Sequence, residues 1–177
     1  MRLPLLLFAL AAAPALSSAQ TRAAAPGPAV GTLRELWLDI TRNVSLAATE
    51  VPESLYAFKP VASVRSFGEI IGHIAGSQYN MCSVALGEPA RPEDAIERTR
   101  TTKAALVQAL RESSEYCDRA YAQADADAQR QTSLFGQTRT RLSILGLNAI
   151  HNGEHYGNLV TYMRINALVP PSSRPRQ

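Results

Sequence analysis

The stretch HNGEHYGNLVTYMR, residues 151–164, contains two of the three histidines of this 177-residue chain. His151 and His155 are four residues apart, so on a helix their rings project from the same face and can reach one metal ion. The stretch lies in an apolar-rich segment whose periodicity predicts a helix from about Arg139 to Asn166. Prolines in the tail that follows, VPPSSRPRQ, end this helix.

Helical periodicity also dominates the chain before this stretch, and no segment shows the convincing alternation of a strand. Two predicted helices begin with a capping box, a Ser or Thr followed three residues later by Glu, at Thr32 and Ser66. Gly87 fits the C-cap of the second helix, and the polar stretch 123–138 is predicted to be a loop. These three helices are predicted over about Leu33 to Thr49, Phe67 to Leu86, and Arg98 to Ala124. Four such helices predict an all-α fold, a four-helix bundle.

The linker between the second and third predicted helices is too long for a tight turn. It has about 11 residues, which at about 3.3 Å each can span a helix of about 20 residues. We therefore expect a long crossover that leaves helices two and three parallel. In that arrangement Cys82 and Cys117 lie at similar depths, and we hypothesise a disulfide between them. Two separate buried thiols are the alternative.

The N-terminus predicts an exported protein. Residues 1–19 have one positive charge, Arg2, then an apolar run and small residues at the cleavage position, the pattern of a secretory signal peptide. A membrane anchor is the alternative, but the run is shorter than the roughly 20 residues that span a bilayer. Residues 20–31 are predicted to be a flexible leader, residues 32–168 the bundle and residues 169–177 a tail. The mature protein is expected in the periplasm or outside the cell.

Composition excludes some classes of partner. The net charge is +3, and charges of both signs are interspersed, unlike the basic stripe of a nucleic-acid-binding protein. No second long apolar run follows the signal peptide, so we expect no membrane association after its removal. A small-molecule substrate is the expected partner. The sequence is compatible with both a monomer and a homodimer.

His73, the third histidine, lies on the second predicted helix among three isoleucines, which is a core-facing setting. Three imidazoles that leave a fourth position to water form a known catalytic zinc geometry, and no fourth protein ligand stands out in the sequence. We therefore predict that His73, His151 and His155 bind one divalent cation. Core histidines without a metal are the alternative.

Several neighbours of these histidines are further candidates. Glu154 completes the pattern His-x-x-Glu-His, in which certain zinc proteases use the glutamate as general base; a solvated surface acid is the alternative. Asn148 and Asn158 each lie three residues from one histidine and can orient a metal ligand or contact a substrate, or simply lie on the helix surface. Gly76 and Ser77, one turn beyond the third histidine, leave space for a small ligand or for close helix packing.

Two stretches together resemble the signature of the DinB-like family: FKPVASVRSFGEIIGHIAGSQYNMC, residues 58–82, and HNGEHYGNLVTYMRINALVPPSS, residues 151–173. In that family one histidine follows a proline-containing loop, and a late helix carries H-x-x-x-H before a glycine, an apolar run and often Pro-Pro. The matching residues here are His73, His151, His155, Gly157, Tyr162, Arg164, Pro170 and Pro171. The resemblance implies a four-helix bundle with a long crossover. It also implies that the three histidines bind zinc or nickel.

The resemblance implies a class of function as well. Some members of the family are transferases or isomerases that use a low-molecular-weight thiol, which the metal activates. The signal peptide departs from this pattern, because such thiols are cytosolic. We therefore expect a metal-dependent enzyme of transferase or hydrolase type with an open three-histidine site. A non-catalytic exported metal-binding or interaction module is the alternative, and a plain bundle with core histidines is the third interpretation.

Overall fold

A computed structural model of the protein describes residues 26–175, so the predicted signal peptide lies outside the described residues. Four long helices form the bundle, and shorter elements lie in the connections. In chain order the elements are α1 (Pro28–Glu50), α2 (Phe67–Leu86), α3 (Ala95–Thr99), α4 (Lys103–Ala120), α5 (Asp125–Ala128), β1 (Gln131–Leu134), β2 (Gln137–Thr140) and α6 (Arg141–Ile165). Single 3-10 turns occupy Glu53–Leu55 and Pro171–Ser173. The predicted all-α four-helix bundle is confirmed.

Helices α2 and α4 run parallel, as the long crossover predicts. Gly68 near the start of α2 packs against Leu106 near the start of α4. Cys82 near the end of α2 is bonded to Cys117 near the end of α4, and their Cα atoms are 5.3 Å apart, a separation that a disulfide spans without backbone movement. The predicted crossover and the predicted disulfide are both confirmed.

Helix α6 runs antiparallel to α2, and this places its two histidines opposite His73. Asn148, in the first half of α6, lies beside Cys82 near the end of α2. One turn further along α6, Asn152 donates a hydrogen bond to Gln78. Helices α2 and α6 pack directly on each other, and this interface holds the site. Helix α1 packs on α4 and α6.

Local sequence explains why α2 begins and ends where predicted. The Ser66 hydroxyl accepts a hydrogen bond from the Glu69 N–H at 3.2 Å, and the Glu69 carboxylate accepts one from the Ser66 N–H at 2.6 Å. Gly87 ends the helix with φ of 79°, a left-handed conformation that glycine adopts without strain. The capping box, the C-cap and the bounds of α2 are therefore confirmed.

Helix α1 begins earlier than predicted: residues 28–31, assigned above to a flexible leader, form its first turn. The Asp125 carboxylate accepts hydrogen bonds from the N–H groups of Ala29 and Val30 at 3.0 and 2.9 Å. This contact takes the place of the predicted cap at Thr32, whose hydroxyl instead donates to a backbone carbonyl. The cap comes from a residue far away in sequence, so no local pattern indicates it.

The third predicted helix begins too early: Arg98 and Thr99 end a separate short helix, α3, and α4 begins at Lys103. The break falls before Lys103, where the Thr102 hydroxyl caps α4 by accepting a hydrogen bond from the Ala105 N–H at 3.3 Å. Helix α4 then ends at Ala120 rather than Ala124. The short α3 lies within the crossover and packs on α2, which matters for the site described below.

The stretch 123–138 is not the simple loop that its polarity predicts. It contains α5, all of β1 and the start of β2, and the two strands pair in an antiparallel hairpin. Phe135 and Gly136 form the turn, with positive φ values of 51° and 75°. The two strands were not predicted because Leu134 is the only buried residue in them. One buried apolar residue makes no alternating pattern.

Two apolar clusters fill the bundle, and buried polar side chains around Gln78 lie between them. The first cluster includes Ile71, Ile74 and Leu159 near the histidines. The second includes Trp37 and the two bonded cysteines. Among the described residues, no helix is both long enough and apolar enough to span a membrane.

Candidate metal centre

The three histidines meet where α2 faces α6. His73 lies in the first half of α2, and His151 and His155 lie one turn apart near the middle of α6. Nε2 of His151 is 3.2 Å from Nε2 of His73 and 3.1 Å from Nε2 of His155. The potential ligand atoms of the three residues all lie within 4.8 Å of one another. The structure therefore brings together the three ligands predicted from the sequence.

The cluster cannot satisfy its own hydrogen-bonding groups. A neutral imidazole nitrogen carries either one proton or one lone pair, so Nε2 of His151 can bond to only one of its two neighbours at a time. Two ligand atoms of a tetrahedral zinc ion are about 3.3 Å apart, close to both Nε2 separations. A divalent cation accepts all three lone pairs together, and the donor set therefore fits a metal.

Burial keeps the three rings neutral. His73 and His155 are each 8% exposed, and desolvation is the main cause that lowers the pKa of both. Burial, with the neighbouring rings of His155 and His73, lowers the pKa of His151 to about 3. Since a metal binds only the neutral ring, the cluster is in its metal-binding form at neutral pH.

The Nδ1 atoms of two rings face polar groups outside the cluster. Nδ1 of His73 is 3.4 Å from Oε2 of Glu97, and within residues 26–175 neither atom has a hydrogen-bond partner. Nδ1 of His155 is 3.4 Å from the side-chain amide of Asn158. A ring that gives its Nε2 lone pair to a metal carries its proton on Nδ1. Glu97 is therefore suited to accept that proton's hydrogen bond and to orient His73. The Asn158 contact is made by Nδ2, so Asn158 would accept from His155 only with its amide turned to place Oδ1 toward the ring.

The crossover brings another carboxylate to the cluster. The Ser77 hydroxyl donates to Oε1 of Glu93 at 2.6 Å, and this oxygen is 4.0 Å from Nε2 of His73. Gly76 allows the approach, because a Cβ at that position would lie 1.8 Å from the backbone oxygen of Glu93. Of the two interpretations of Gly76, close packing is the one observed, although the crossover rather than a helix packs there. Ser77 likewise holds an acid instead of facing open space.

Two predicted site residues lie apart from the three rings. Asn148 is fully buried, and its amide donates to the Tyr121 hydroxyl at 3.1 Å and contacts Sγ of Cys82 at 3.7 Å. It therefore orients no histidine. Glu154 lies on the exposed face of α6, and its assignment as a base stays a prediction.

A surface cavity of about 640 Å³ opens beside His155. This volume falls within the range of small-molecule sites, roughly 300 to 1,000 Å³. Its lining includes residues from the segment before α2, from α3 and from α6, among them Pro60, Arg65, Glu97, His155, Asn158 and Tyr162. A small molecule in this cavity would lie beside His155, the one histidine of the cluster in its lining.

Sequence reasoning missed Glu93, Glu97 and Arg65. The first two are on the crossover, whose position depends on tertiary packing. One signal was available: Gly72 and Gly76 are four residues apart on α2 and leave a helix face without side chains. Backbone atoms of Glu97 and Glu93 pack against these two glycines, and both acids thereby come close to His73.

Comparisons with known proteins agree with this architecture. A family model described as the DinB superfamily matches residues 38–159, and no curated protein matches the chain. The crystal structure of a DinB-like protein from Bacillus subtilis is similar, with a TM-score of 0.64 at 20% identity over 82% of this chain and 99% of that chain. A DinB-like protein from Bacillus cereus has a TM-score of 0.67 at 16% identity, over 78% of this chain and 93% of that chain.

A third similar structure is a mutant of the mycothiol-dependent maleylpyruvate isomerase. Its TM-score is 0.63 at 14% identity, over 73% of this chain and 60% of that chain. At such identities the three structural similarities show a shared fold.

Proposed function

This chain belongs to the DinB superfamily, and we propose that it is an exported enzyme that uses one divalent metal ion to act on a small molecule. One observation carries the proposal: the Nε2 separations of 3.1 and 3.2 Å in a cluster of three histidines that no other His, Cys, Asp or Glu of the described residues joins. Structural zinc sites are closed by a fourth protein ligand, whereas three ligands leave a position for a substrate.

His73, His151 and His155 would hold the ion, and zinc and nickel are the proposed metals because imidazole suits both. When bound, the ion supplies Lewis acidity and activates a nucleophile at neutral pH. The chain's own part is to keep the rings neutral by burial. It also orients His73 through Glu97.

Glu93 is the proposed proton acceptor. Its Oε1 lies on the Nε2 side of His73, at 4.0 Å, and the Ser77 hydroxyl fixes it there. A general base must lie within hydrogen-bond reach of the group that it deprotonates. Among the described residues, Glu93 is the carboxylate that comes within 4.0 Å of an Nε2 atom of the cluster, and the exposed Glu154 is the second candidate.

We propose a reaction of transferase or hydrolase type. A protein of similar fold is a mycothiol-dependent isomerase, so transfer to or from a thiol is one form of this chemistry. Hydrolysis is the form that suits an exported enzyme, because water is its only co-reactant.

The proposed export rests on residues 1–19 and is supported by the disulfide between Cys82 and Cys117. Disulfides persist in the periplasm and outside the cell and are rare in the cytosol. We propose a mature enzyme without a membrane or nucleic-acid partner. Size-exclusion chromatography distinguishes the monomer from the homodimer that the sequence leaves open.

A non-catalytic metal-binding module is the second candidate, and one observation favours it. Both carboxylates near the histidines are already hydrogen-bonded, Glu93 to Ser77 and Glu97 to Arg65. A carboxylate engaged in this way is less available as a base.

Elemental analysis of the untagged mature protein tests metal binding. We expect one divalent ion per chain after dialysis against zinc or nickel, and its absence would overturn the proposal. Turnover of ester and thiol substrates is then compared before and after chelation. Glu93→Gln should abolish turnover and retain the metal. Loss of turnover in Glu154→Gln instead would identify the second candidate as the base. A metal-loaded protein that turns over neither substrate class supports the non-catalytic module.

A further inference from the structure

Arg65 is tied to the histidine cluster through a single carboxylate. It precedes α2, and its Nε donates to Oε1 of Glu97 at 2.8 Å. Its backbone carbonyl accepts a hydrogen bond from the Tyr162 hydroxyl, also at 2.8 Å. The other oxygen of Glu97 lies 3.4 Å from Nδ1 of His73. Both the backbone and the side chain of Arg65 are therefore held in place beside the cavity.

The outer edge of this guanidinium is available. Within residues 26–175, Nη1 and Nη2 of Arg65 donate no hydrogen bond, and the side chain is 43% exposed. An arginine whose Nε is occupied keeps its Nη1 and Nη2 donors. Two parallel N–H groups of a guanidinium match two oxygens of a carboxylate or a phosphate. The cavity thus contains a fixed guanidinium that can donate hydrogen bonds to an oxyanion.

Lys59 contributes a second positive charge to the cavity but differs from Arg65 in its surroundings. Its ammonium pairs with the Glu69 carboxylate at 2.9 Å. The partner of Arg65, Glu97, also lies 3.4 Å from Nδ1 of His73. Arg65 is therefore the cation that is linked to the candidate metal centre through its own carboxylate partner.

We infer that the cavity binds a small molecule through an oxyanion, a carboxylate or phosphate group, that the Nη1–Nη2 edge of Arg65 holds beside the three histidines. The inference rests on the proposed function, because the remainder of this molecule would then meet the metal. Asn158 and Tyr162 line the same cavity of about 640 Å³ and offer further hydrogen-bonding groups. Glu97 is a positioning residue, since it holds Nε and leaves the outer edge for the ligand.

Isothermal titration of the zinc-loaded protein with acetate and with methylphosphonate tests this inference. We expect Arg65→Ala to weaken the Kd of at least one probe by about 10- to 100-fold, as for hydrogen bonds to a charged group. Arg65→Lys should recover part of the loss, because the charge remains and the paired donors are lost. Lys59→Ala is the matched control and should change the Kd by less than about 3-fold, because an ammonium lacks the planar pair of donors of a guanidinium.

Equal Kd values for the wild type and Arg65→Ala, or no binding of either probe to the wild type, would overturn the inference. An equal loss in Lys59→Ala would also overturn it, because the effect would then be diffuse charge. Glu97→Gln is the second variant, expected to weaken binding by a few-fold, and circular dichroism checks the fold of every sample. Tighter binding of acetate identifies a carboxylate ligand, and the reverse order identifies a phosphate.

Zinc content, measured in the same samples, separates this inference from the proposed function. A wild type that holds no zinc contradicts the proposed function. A zinc-loaded Arg65→Ala protein that binds both probes as the wild type does contradicts only the inference about the cavity.

Discussion

Two regions of the core lie along the interface of α2 and α6, the second extending to the end of α4, and they differ in how their buried polar groups are satisfied. The histidine cluster consists of His73, His151 and His155. The disulfide region consists of Cys82, Cys117, Tyr121 and Asn148. Gln78 lies between the two regions and donates to Ser113 while it accepts from Trp37, at 3.0 Å in both cases.

Most polar side-chain groups of the disulfide region bond to one another, and within the described residues Oδ1 of Asn148 is the exception. The Asn148 amide donates to the Tyr121 hydroxyl at 3.1 Å, which donates to the Leu145 carbonyl at 2.8 Å. In the histidine cluster the Nε2 atoms come within hydrogen-bond distance only of one another among the described residues, and Nδ1 of His73 and of His151 have no partner there.

This difference indicates that the disulfide region contributes to stability and that the histidine cluster binds a ligand. A buried polar group without a partner costs about 1–3 kcal/mol, and natural proteins retain such costs mainly at functional sites. The disulfide region leaves Oδ1 of Asn148 without a partner among the described residues, whereas the histidine cluster presents three facing Nε2 atoms that an added cation would bind together. Changes in the first region should therefore affect unfolding, and changes in the second should affect metal binding.

Removal of the disulfide should have the largest effect. The bond closes a loop with a sequence separation of 35, which corresponds to about 4 kcal/mol of stability in the chain-entropy account. We expect the double variant Cys82→Ala and Cys117→Ala to lower the melting temperature by roughly 10 °C, as measured by calorimetry. At temperatures where it is folded, this variant should bind one metal ion per chain. An unchanged melting temperature, or loss of the metal from folded protein, would contradict the separation of the two regions.

The fold was predictable where its signals are local. Ser66 and Gly87 bound α2 through contacts with near neighbours in sequence, and the length of the linker alone indicates the crossover. The start of α1 was not predictable, because its cap is Asp125, 95 residues from Val30. The parallel α2 and α4 also allowed the disulfide to be hypothesised, since depth along a helix follows from residue count.

Replacement of one ligand should have the next largest effect. We expect His151→Ala to weaken metal binding by more than about 100-fold, or about 3 kcal/mol, because its Nε2 is the atom close to both other rings. Asn148→Ala, three residues earlier on α6, is the matched control. It should retain metal affinity and lose about 1–2 kcal/mol of stability with its hydrogen bond to Tyr121. Competition with a chelator and urea unfolding measure the two quantities. Metal loss in Asn148→Ala would mean that the two regions do not have separate roles.

The histidines of the site were predictable, and most of their surroundings were not. Histidine is rare in this chain, and the spacing of His151 and His155 is a helical one. Glu93 and Glu97 reach His73 only because the crossover packs on Gly72 and Gly76. A sequence pattern indicates which face of a helix is bare, but it does not indicate which later segment covers that face.

Acid should destabilise the metal-free protein through the histidine cluster. Burial lowers the pKa of all three rings, that of His151 from 6.5 to about 3. Between these values the unfolded chain binds more protons than the folded one, so stability is present above pH 6.5 and falls as the pH falls. We expect a loss of about 2 kcal/mol from His151 alone between pH 6.5 and pH 5.

Urea unfolding at pH 7, 6 and 5 measures this loss. Carboxylates with a lowered pKa, such as Glu69, titrate below their usual value of 4.5 and so stay outside this window. The metal-free His151→Ala variant should show a shallower dependence on pH. An equal slope in both proteins would mean that groups outside the histidine cluster carry the effect.

Loss of the carboxylate behind His73 should have the smallest effect. Glu97 lies 3.4 Å from Nδ1 of His73, and outer partners of this kind change metal affinity by about 10- to 100-fold. The contact is longer than an ordinary hydrogen bond, so we expect Glu97→Ala to weaken metal binding by about 10-fold, at the low end of that range. Glu97→Gln retains an acceptor oxygen and should lose only a few-fold. Glu154→Gln removes a charge from the exposed face of α6 and should leave the zinc affinity unchanged.

Competition with a chelator for zinc measures the affinity of each variant and therefore the order of the three effects. If Glu97→Ala binds zinc as tightly as Glu154→Gln, Nδ1 of His73 needs no carboxylate partner. The histidine cluster would then depend on its Nε2 atoms alone.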